Sequence, residues 1–225
     1  MPRPPVIVSN EYPYHIWARS NNKEWFDLPA EECHQIFMGQ LKKTQDIYKW
    51  KPHLLLTMGN HFHLIAETPL SNISSAMRYF MTESSRKIRN RSLRTNHVFG
   101  GRYRSSLITE ELYYYSLHKY ILRNPVEAKI CERVELYPNS SWFEAGKFEE
   151  TMRGFAKPWS YGLPLDNSEQ YLAWLNEAPP DQVSKGVRKG LRKMRFTFPK
   201  TGEGRRIVNW AEDVEPYLKR RVAEK

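Results

Sequence analysis

A chain of 225 residues with 40% apolar content holds enough material for one compact catalytic domain and a smaller appendage, and too little for two large domains. Its 35 Lys and Arg against 25 Asp and Glu give a formal charge of +10, which attracts polyanions, nucleic acid being the commonest, although a basic proteome produces the same balance. No run of apolar residues is long enough to cross a bilayer, and Met1 to Asn10 lacks the features of a secretion signal, so a cytoplasmic protein with no membrane partner is expected.

In chain order, Tyr14 to Arg19 reads as a first strand and Pro29 to Tyr48 as a helix with Ile36, Phe37, Leu41 and Ile47 at helical spacing. His53 to Met58 and His61 to Glu67 are β-type runs separated by Gly59-Asn60, which predicts an antiparallel hairpin. Ser71 or Asn72 is placed to cap a helix that carries Ile73, Met77, Phe80 and Met81 and continues to about Arg89. Val98 to Ile108 reads as a strand or hairpin through Gly100-Gly101. Thr109 is the expected cap of a helix over Glu110 to Arg123, and Pro125 predicts its end near Asn124. Beyond Tyr137, Pro138, Pro158, Pro164, Pro179 and Pro180 break the chain into short pieces, with helix candidates at Ser168 to Asn176 and Gln182 to Lys193. The order βαββαβα followed by this appendage suggests a domain over residues 1–140 and a basic C-terminal part over 141–225. Cys33 and Cys131 show no metal-type spacing and read as small semi-buried side chains.

Within the run from His61 to Glu67, side chains alternate between faces, so His61 and His63 share one face while Phe62 and Leu64 enter the opposite, packed layer. Two imidazoles on one face can share a divalent ion, or can simply be two histidines at a hairpin edge. Tyr120 and Asn124, four residues apart on a helix, project from one side. A tyrosine can act as a covalent nucleophile, but its ordinary pKa of about 10 calls for a cation or base nearby. The same two residues also suit packing and a helix C-cap. Tyr113, Tyr114 and Tyr115 are rival nucleophiles, or packing and base-stacking residues; Tyr120 is preferred because a polar ligand candidate lies one turn away.

Cationic residues concentrate twice. Residues 78–106 hold eight Lys or Arg and one acid, interleaved with Tyr79, Phe99 and Tyr103, and residues 185–206 hold nine and one acid around an apolar stripe of Val183, Val187, Leu191 and Met194. Such mixtures suit phosphate contact and base stacking, and each is also what a solvated charged face looks like. The start Met1-Pro2-Arg3-Pro4-Pro5 is expected to be an extended arm.

Three segments then carry a family resemblance: Met58-Gly59-Asn60-His61-Phe62-His63-Leu64, Gly101-Arg102-Tyr103-Arg104-Ser105 and Tyr120-Ile121-Leu122-Arg123-Asn124-Pro125-Val126-Glu127-Ala128. Together they resemble the single-tyrosine HUH transposases, and more narrowly the REP-associated tyrosine transposases that act on repetitive extragenic palindromes. The likeness covers about residues 1–145. It departs from the family pattern at Gly59, where a proline is often found, and at Ser20 and Asn139. The resemblance implies an α+β, ferredoxin-like βαββαβ antiparallel sheet with helices on one face. It also implies a metal, Mg or Mn, bound by His61, His63 and Asn124, with catalytic residues Tyr120, His61 and His63. The implied activity is transposition chemistry: an endonuclease and strand transferase that cleaves and rejoins single-stranded DNA hairpins through a 5′-phosphotyrosine. Expected DNA contacts are Arg3, Arg19, Arg78, Arg102, Tyr103, Arg104, Lys189, Arg192 and Lys193. A bacterial, nucleoid-associated protein acting as a monomer is expected, with a dimer left open. Two rivals share parts of the pattern: a non-catalytic ferredoxin-like RNA or DNA binder, which needs no histidine pair, and a metal-dependent phosphoesterase using water.

Overall fold

The computed structural model describes residues 5–142 and 169–197. Its elements are β1 (Tyr14–Arg19), α1 (Ala30–Tyr48), β2 (Lys51–Met58), β3 (His61–Glu67), α2 (Ile73–Arg91), β4 (Arg104–Leu107), α3 (Glu111–Glu127), α4 (Glu169–Asn176) and α5 (Asp181–Gly190). Short 3-10 turns lie at Asn21–Lys23 and Val134–Leu136. The chain forms two compact units. The first contains β1 to β4, α1, α2 and the segment that begins at Pro138; the second contains α3, the Val134–Leu136 turn, α4 and α5. Sequence reading places α3 with the sheet and a boundary after residue 140, whereas the structure clusters α3 with the later helices it packs against.

In the first unit the four strands are ordered β2-β3-β1-β4 and every neighbouring pair is antiparallel, the ferredoxin-like arrangement. The register sets Ile16 opposite Leu64 and Ala18 opposite Phe62, while Trp17 lies opposite His63 and Arg19 opposite His61. Because side chains alternate along a strand, Ile16, Ala18, Phe62 and Leu64 share the face that α1 and α2 cover. There they join Phe37, Leu41, Met77 and Phe80 in the core. Phe37 is the hub of an aromatic cluster, with ring centroids 5.4 Å from Phe62, 5.6 Å from Phe26 and 5.9 Å from Phe80. The histidines therefore occupy the opposite face for the same reason that Phe62 is buried. Ser141 fastens the later segment to this unit, its hydroxyl accepting from the Leu55 amide at 2.9 Å.

Several local expectations change. The N-cap of α2 is Asn72, but its side chain caps nothing; Nδ2 donates instead to the Tyr48 carbonyl at 2.9 Å, tying the start of α2 to the end of α1. The strand expected over Val98 to Ile108 shrinks to β4, because Gly101 takes φ 151° and the chain before it forms only an isolated bridge between Phe99 and Ser20. Thr109 is not the cap of α3; that position is Glu110, with no side-chain cap bond.

In the second unit, α3 continues through Pro125 to Glu127 instead of ending near Asn124. A proline cannot donate to the carbonyl four residues back, here Ile121. Asn124 supplies the missing donor: its Nδ2 reaches the Ile121 carbonyl at 3.3 Å and the Tyr120 carbonyl at 2.7 Å. Tyr113, Tyr114 and Tyr115 are all buried, Tyr113 edge-on to Phe196 and Tyr114 edge-on to Tyr115. His118 and Tyr171 are hydrogen-bonded at 2.9 Å, and Arg123 donates to the carbonyls of Leu175 and Asn176 at the end of α4. Of the apolar stripe expected in the basic helix, Val183 and Val187 are buried, but α5 ends at Gly190 and Met194 is exposed.

Candidate active site

The imidazole pair is held from both sides. His61 and His63 have ring centroids 5.1 Å apart and are nearly perpendicular, at 82°. His61 Nδ1 lies 2.7 Å from the Asn60 side-chain oxygen, an acceptor, so Nδ1 carries the hydrogen and the lone pair sits on Nε2. His63 Nδ1 lies 2.8 Å from His15 Nε2, and the two rings stack 5.1 Å apart. This contact engages His63 Nδ1 and leaves Nε2 as the ring nitrogen directed away from His15. Burial lowers the pKa of His61 to about 4, with Arg19 adding to the effect. Burial also holds His63 well below its ordinary value, helped by His15, His61 and Arg19. Both rings are thus neutral at physiological pH, the form that binds a metal. Anchoring of the distal nitrogen is also what orients metal-ligating histidines. The pair fits a divalent cation bound through the two Nε2 atoms. Among the described residues no three His, Cys, Asp or Glu side chains gather into a metal-binding group.

Trp17 and Arg19 of β1, which lie opposite His63 and His61, also line a cleft of about 530 Å³ that extends toward β4 and is walled further by Asn21, Lys23, Arg102 and Arg104. Four cations and one indole make it suited to a phosphate chain carrying a base. The Arg104 guanidinium lies over the Trp17 ring at 5.2 Å, and that of Arg102 over Tyr103 at 5.2 Å. Arg19, Arg102 and Arg104 are exposed, and Tyr103 is buried, so the tyrosine supports Arg102 from beneath. Arg78 is exposed on α2. Arg94, counted in the same cationic run, is a structural residue: its buried side chain pairs with Glu24 and Asp27, both at 3.1 Å, and donates to the carbonyls of Trp25 and His97.

Tyr120 and Asn124 lie one turn apart on α3 and both are half-buried. With Nδ2 of Asn124 committed to its own helix, Oδ1 is the amide atom directed away from those carbonyls. Lys189, Arg192 and Lys193 are exposed in and after α5, with Lys193 donating to the Thr197 hydroxyl at 2.9 Å. Arg3 lies outside the described residues. Two neighbours escaped sequence reading: His15, which braces His63, and Arg188, which pairs with Glu127 at 2.5 Å. The alternation His15, Trp17, Arg19 placed His15 on the histidine face, but only strand register shows that it reaches His63.

The fold and these residues define an α+β ferredoxin-like protein with a neutral imidazole pair on the sheet face opposite its helices and a cationic cleft alongside. Residues 8–124 match the family described as "Transposase IS200 like", and the chain belongs to that family. Membership makes it a DNA-transposition protein, of an enzyme class that cleaves and transfers DNA. Among solved structures, a REP-associated tyrosine transposase bound to a REP hairpin is similar in fold, with a TM-score of 0.54 and 16% identity, covering 71% of this chain and 90% of that one. No curated protein sequence matches. Among the described residues, no helix is long and apolar enough to cross a membrane.

Proposed function

We propose that this protein cleaves and rejoins single-stranded DNA at hairpins of the REP type, with Tyr120 as the covalent nucleophile and a divalent metal, Mg or Mn, held by His61, His63 and Asn124. The observation that carries this reading is the pair of neutral imidazoles, each with its Nδ1 held by a hydrogen bond, next to a cleft lined by Arg19, Lys23, Arg102 and Arg104. A sheet whose only task is RNA binding has no use for such a pair.

The metal, when bound, supplies Lewis acidity at the scissile phosphate. The protein residues do the remaining work. Arg19, Lys23, Arg102 and Arg104 hold the phosphate backbone, and Trp17 offers a ring for a base. Exposed Arg78, Lys189, Arg192 and Lys193 are further DNA contacts in this reading, and the family resemblance adds Arg3. Tyr120 Oη attacks phosphorus, forming the 5′-phosphotyrosine and releasing the 3′ hydroxyl; rejoining is the reverse displacement. Full burial of Tyr113, Tyr114 and Tyr115 favours Tyr120 among the four, because a nucleophile must meet its substrate. Asn124 Oδ1 serves as the third protein ligand. Monomeric action is part of the same reading.

Incubation with an end-labelled hairpin oligonucleotide and Mg or Mn tests it. A covalent adduct that survives denaturing electrophoresis and maps to Tyr120 is the expected result. Cleavage without an adduct would identify a hydrolase using water, and retention without cleavage would identify a binder.

A further inference from the structure

The loop that follows β1 is tied to the tip of the β2–β3 hairpin. The Ser20 amide donates to the Asn60 carbonyl at 2.8 Å, the Phe26 amide to the Gly59 carbonyl at 3.1 Å, and Asn60 Nδ2 to the Lys23 carbonyl at 2.9 Å. The buried Arg94 guanidinium grips the same loop by the Trp25 carbonyl at 2.7 Å and by the carboxylates of Glu24 and Asp27. The Phe26 ring anchors it in the core, 5.6 Å from Phe37 and 5.8 Å from Phe99. Asn22, Lys23 and Asp27 take φ of 55°, 62° and 61°, turns that this network holds against ordinary backbone preference.

Out of this fixed loop projects Trp25, 70% exposed. Trp50, Trp142 and Trp174 are buried, and Trp17 lies half-buried under Arg104. Isolated exposed apolar side chains are ordinary on a surface; Trp25 differs in having the backbone on both sides of it clamped. Its ring also has a bed. A Cβ on Gly59 would come within 2.6 Å of the indole, so the hairpin tip accommodates the ring because it carries glycine. The positive φ that often explains a turn glycine belongs to Gly101 and not to Gly59, where the ring is what requires the missing side chain.

We propose that Trp25 is a stacking platform for an unpaired base of the strand that lies in the cationic cleft. This rests on the reading of that cleft as a single-stranded DNA site. Asn21, Asn22 and Lys23 line the cleft, and Trp25 follows Lys23 by two residues, so its backbone stands within about 7 Å of that of a phosphate-binding cation. A strand whose phosphate meets Lys23 can lay the adjoining base on the indole. Every base has a π face, so the contact tolerates any sequence, and it selects unpaired over paired DNA. The loop is rigid before binding, so little ordering opposes the contact.

Fluorescence anisotropy of an end-labelled hairpin oligonucleotide with unpaired flanks, measured on the full chain without divalent metal, tests this. Trp25→Ala is expected to weaken binding about tenfold and Trp25→Phe to weaken it less, while Trp25→Leu, which keeps apolar bulk without a π face, behaves as alanine. The salt dependence should be the same in all of them, since no phosphate contact is lost. An abasic site scanned through the flanks locates the base: at one position it should cost the parent about tenfold and Trp25→Ala less than about twofold. Gly59→Ala, which pushes the ring off its bed, should weaken the parent and leave Trp25→Ala no weaker. Because the indole is exposed, its replacement leaves the fold intact, which a thermal melt checks. Equal affinity of Trp25→Ala and the parent, parent-like affinity of Trp25→Leu, or abasic losses that match in both proteins at every position would each overturn the proposal. A parent protein that does not bind the oligonucleotide would instead defeat the reading of the cleft, whereas binding indifferent to Trp25 defeats the platform alone.

Discussion

The two halves of the proposed site are held in different ways. On the sheet, His61 and His63 are fixed by ladder hydrogen bonds to β1 and β2, and their rings are braced again by Asn60 and His15. On α3, the Asn124 side chain is held by bonds to the Tyr120 and Ile121 carbonyls of its own helix, and Arg188 from α5 binds Glu127 further along. A strand in a four-stranded sheet resists displacement because moving it breaks paired backbone bonds, whereas a helix held by side chains can shift by exchanging rotamers. The contrast suits the proposed chemistry, in which the cation stays while the nucleophile carries one end of the DNA between cleavage and rejoining.

The sharpest way to separate the halves is to delete the nucleophile alone. Tyr120→Phe removes one hydroxyl, so adduct should vanish while hairpin affinity, read by fluorescence anisotropy, stays within about twofold, since non-specific affinity resides in the phosphate contacts. Survival of the adduct would shift the role to another tyrosine. Next in size is the sheet half: His61→Ala with His63→Ala should abolish cleavage even with excess Mn, and normal cleavage there would remove the metal from the mechanism. Smaller is the effect of the brace. His15→Phe keeps the volume but removes the hydrogen bond to His63 Nδ1, and should weaken Mn binding by calorimetry about 10- to 100-fold. Unaltered affinity would mean that His15 only packs. Smallest on chemistry is the pairing of Arg102→Ala with Arg104→Ala, which should lower the salt dependence of DNA binding by a slope of about 2. Arg94→Ala, from the same cationic run, should leave that slope unchanged and cost about 1–3 kcal/mol of stability, because a buried guanidinium that clasps Glu24, Asp27 and the carbonyls of Trp25 and His97 is lost.

The sheet was legible because alternation is a strong constraint when one face must be buried. The limits of β1 and β3 follow directly from Ile16, Ala18, Phe62 and Leu64, and the histidine face follows by exclusion. The helical half was less legible. Proline rules predict a stop at Asn124, but an asparagine amide that fills the vacated donor position lets the helix run on to Glu127, and so brings Glu127 into the stripe of Tyr120. Among nine cations between residues 185 and 206, spacing alone does not distinguish Arg188, which faces α3, from Lys189, which faces solvent. Charge counting likewise grouped Arg94 with Arg102, although one is a buried clasp and the other walls the cleft. The family resemblance supplied the proposed nucleophile and ligands, and left their neighbours undescribed.

Asn60 has a double attachment at the tip of the β2–β3 hairpin. Its oxygen meets His61 Nδ1, and its Nδ2 donates to the Lys23 carbonyl at 2.9 Å, on the rim of the cationic cleft. The Trp25 ring lies so close to the neighbouring Gly59 that a Cβ there would come within 2.6 Å of it, which confines the hairpin tip further. One amide thus ties the rim of the cationic cleft to a ring of the proposed metal site. If the proposed metal and DNA sites are real, occupancy of either should then change affinity for the other by the same factor, as thermodynamic reciprocity requires.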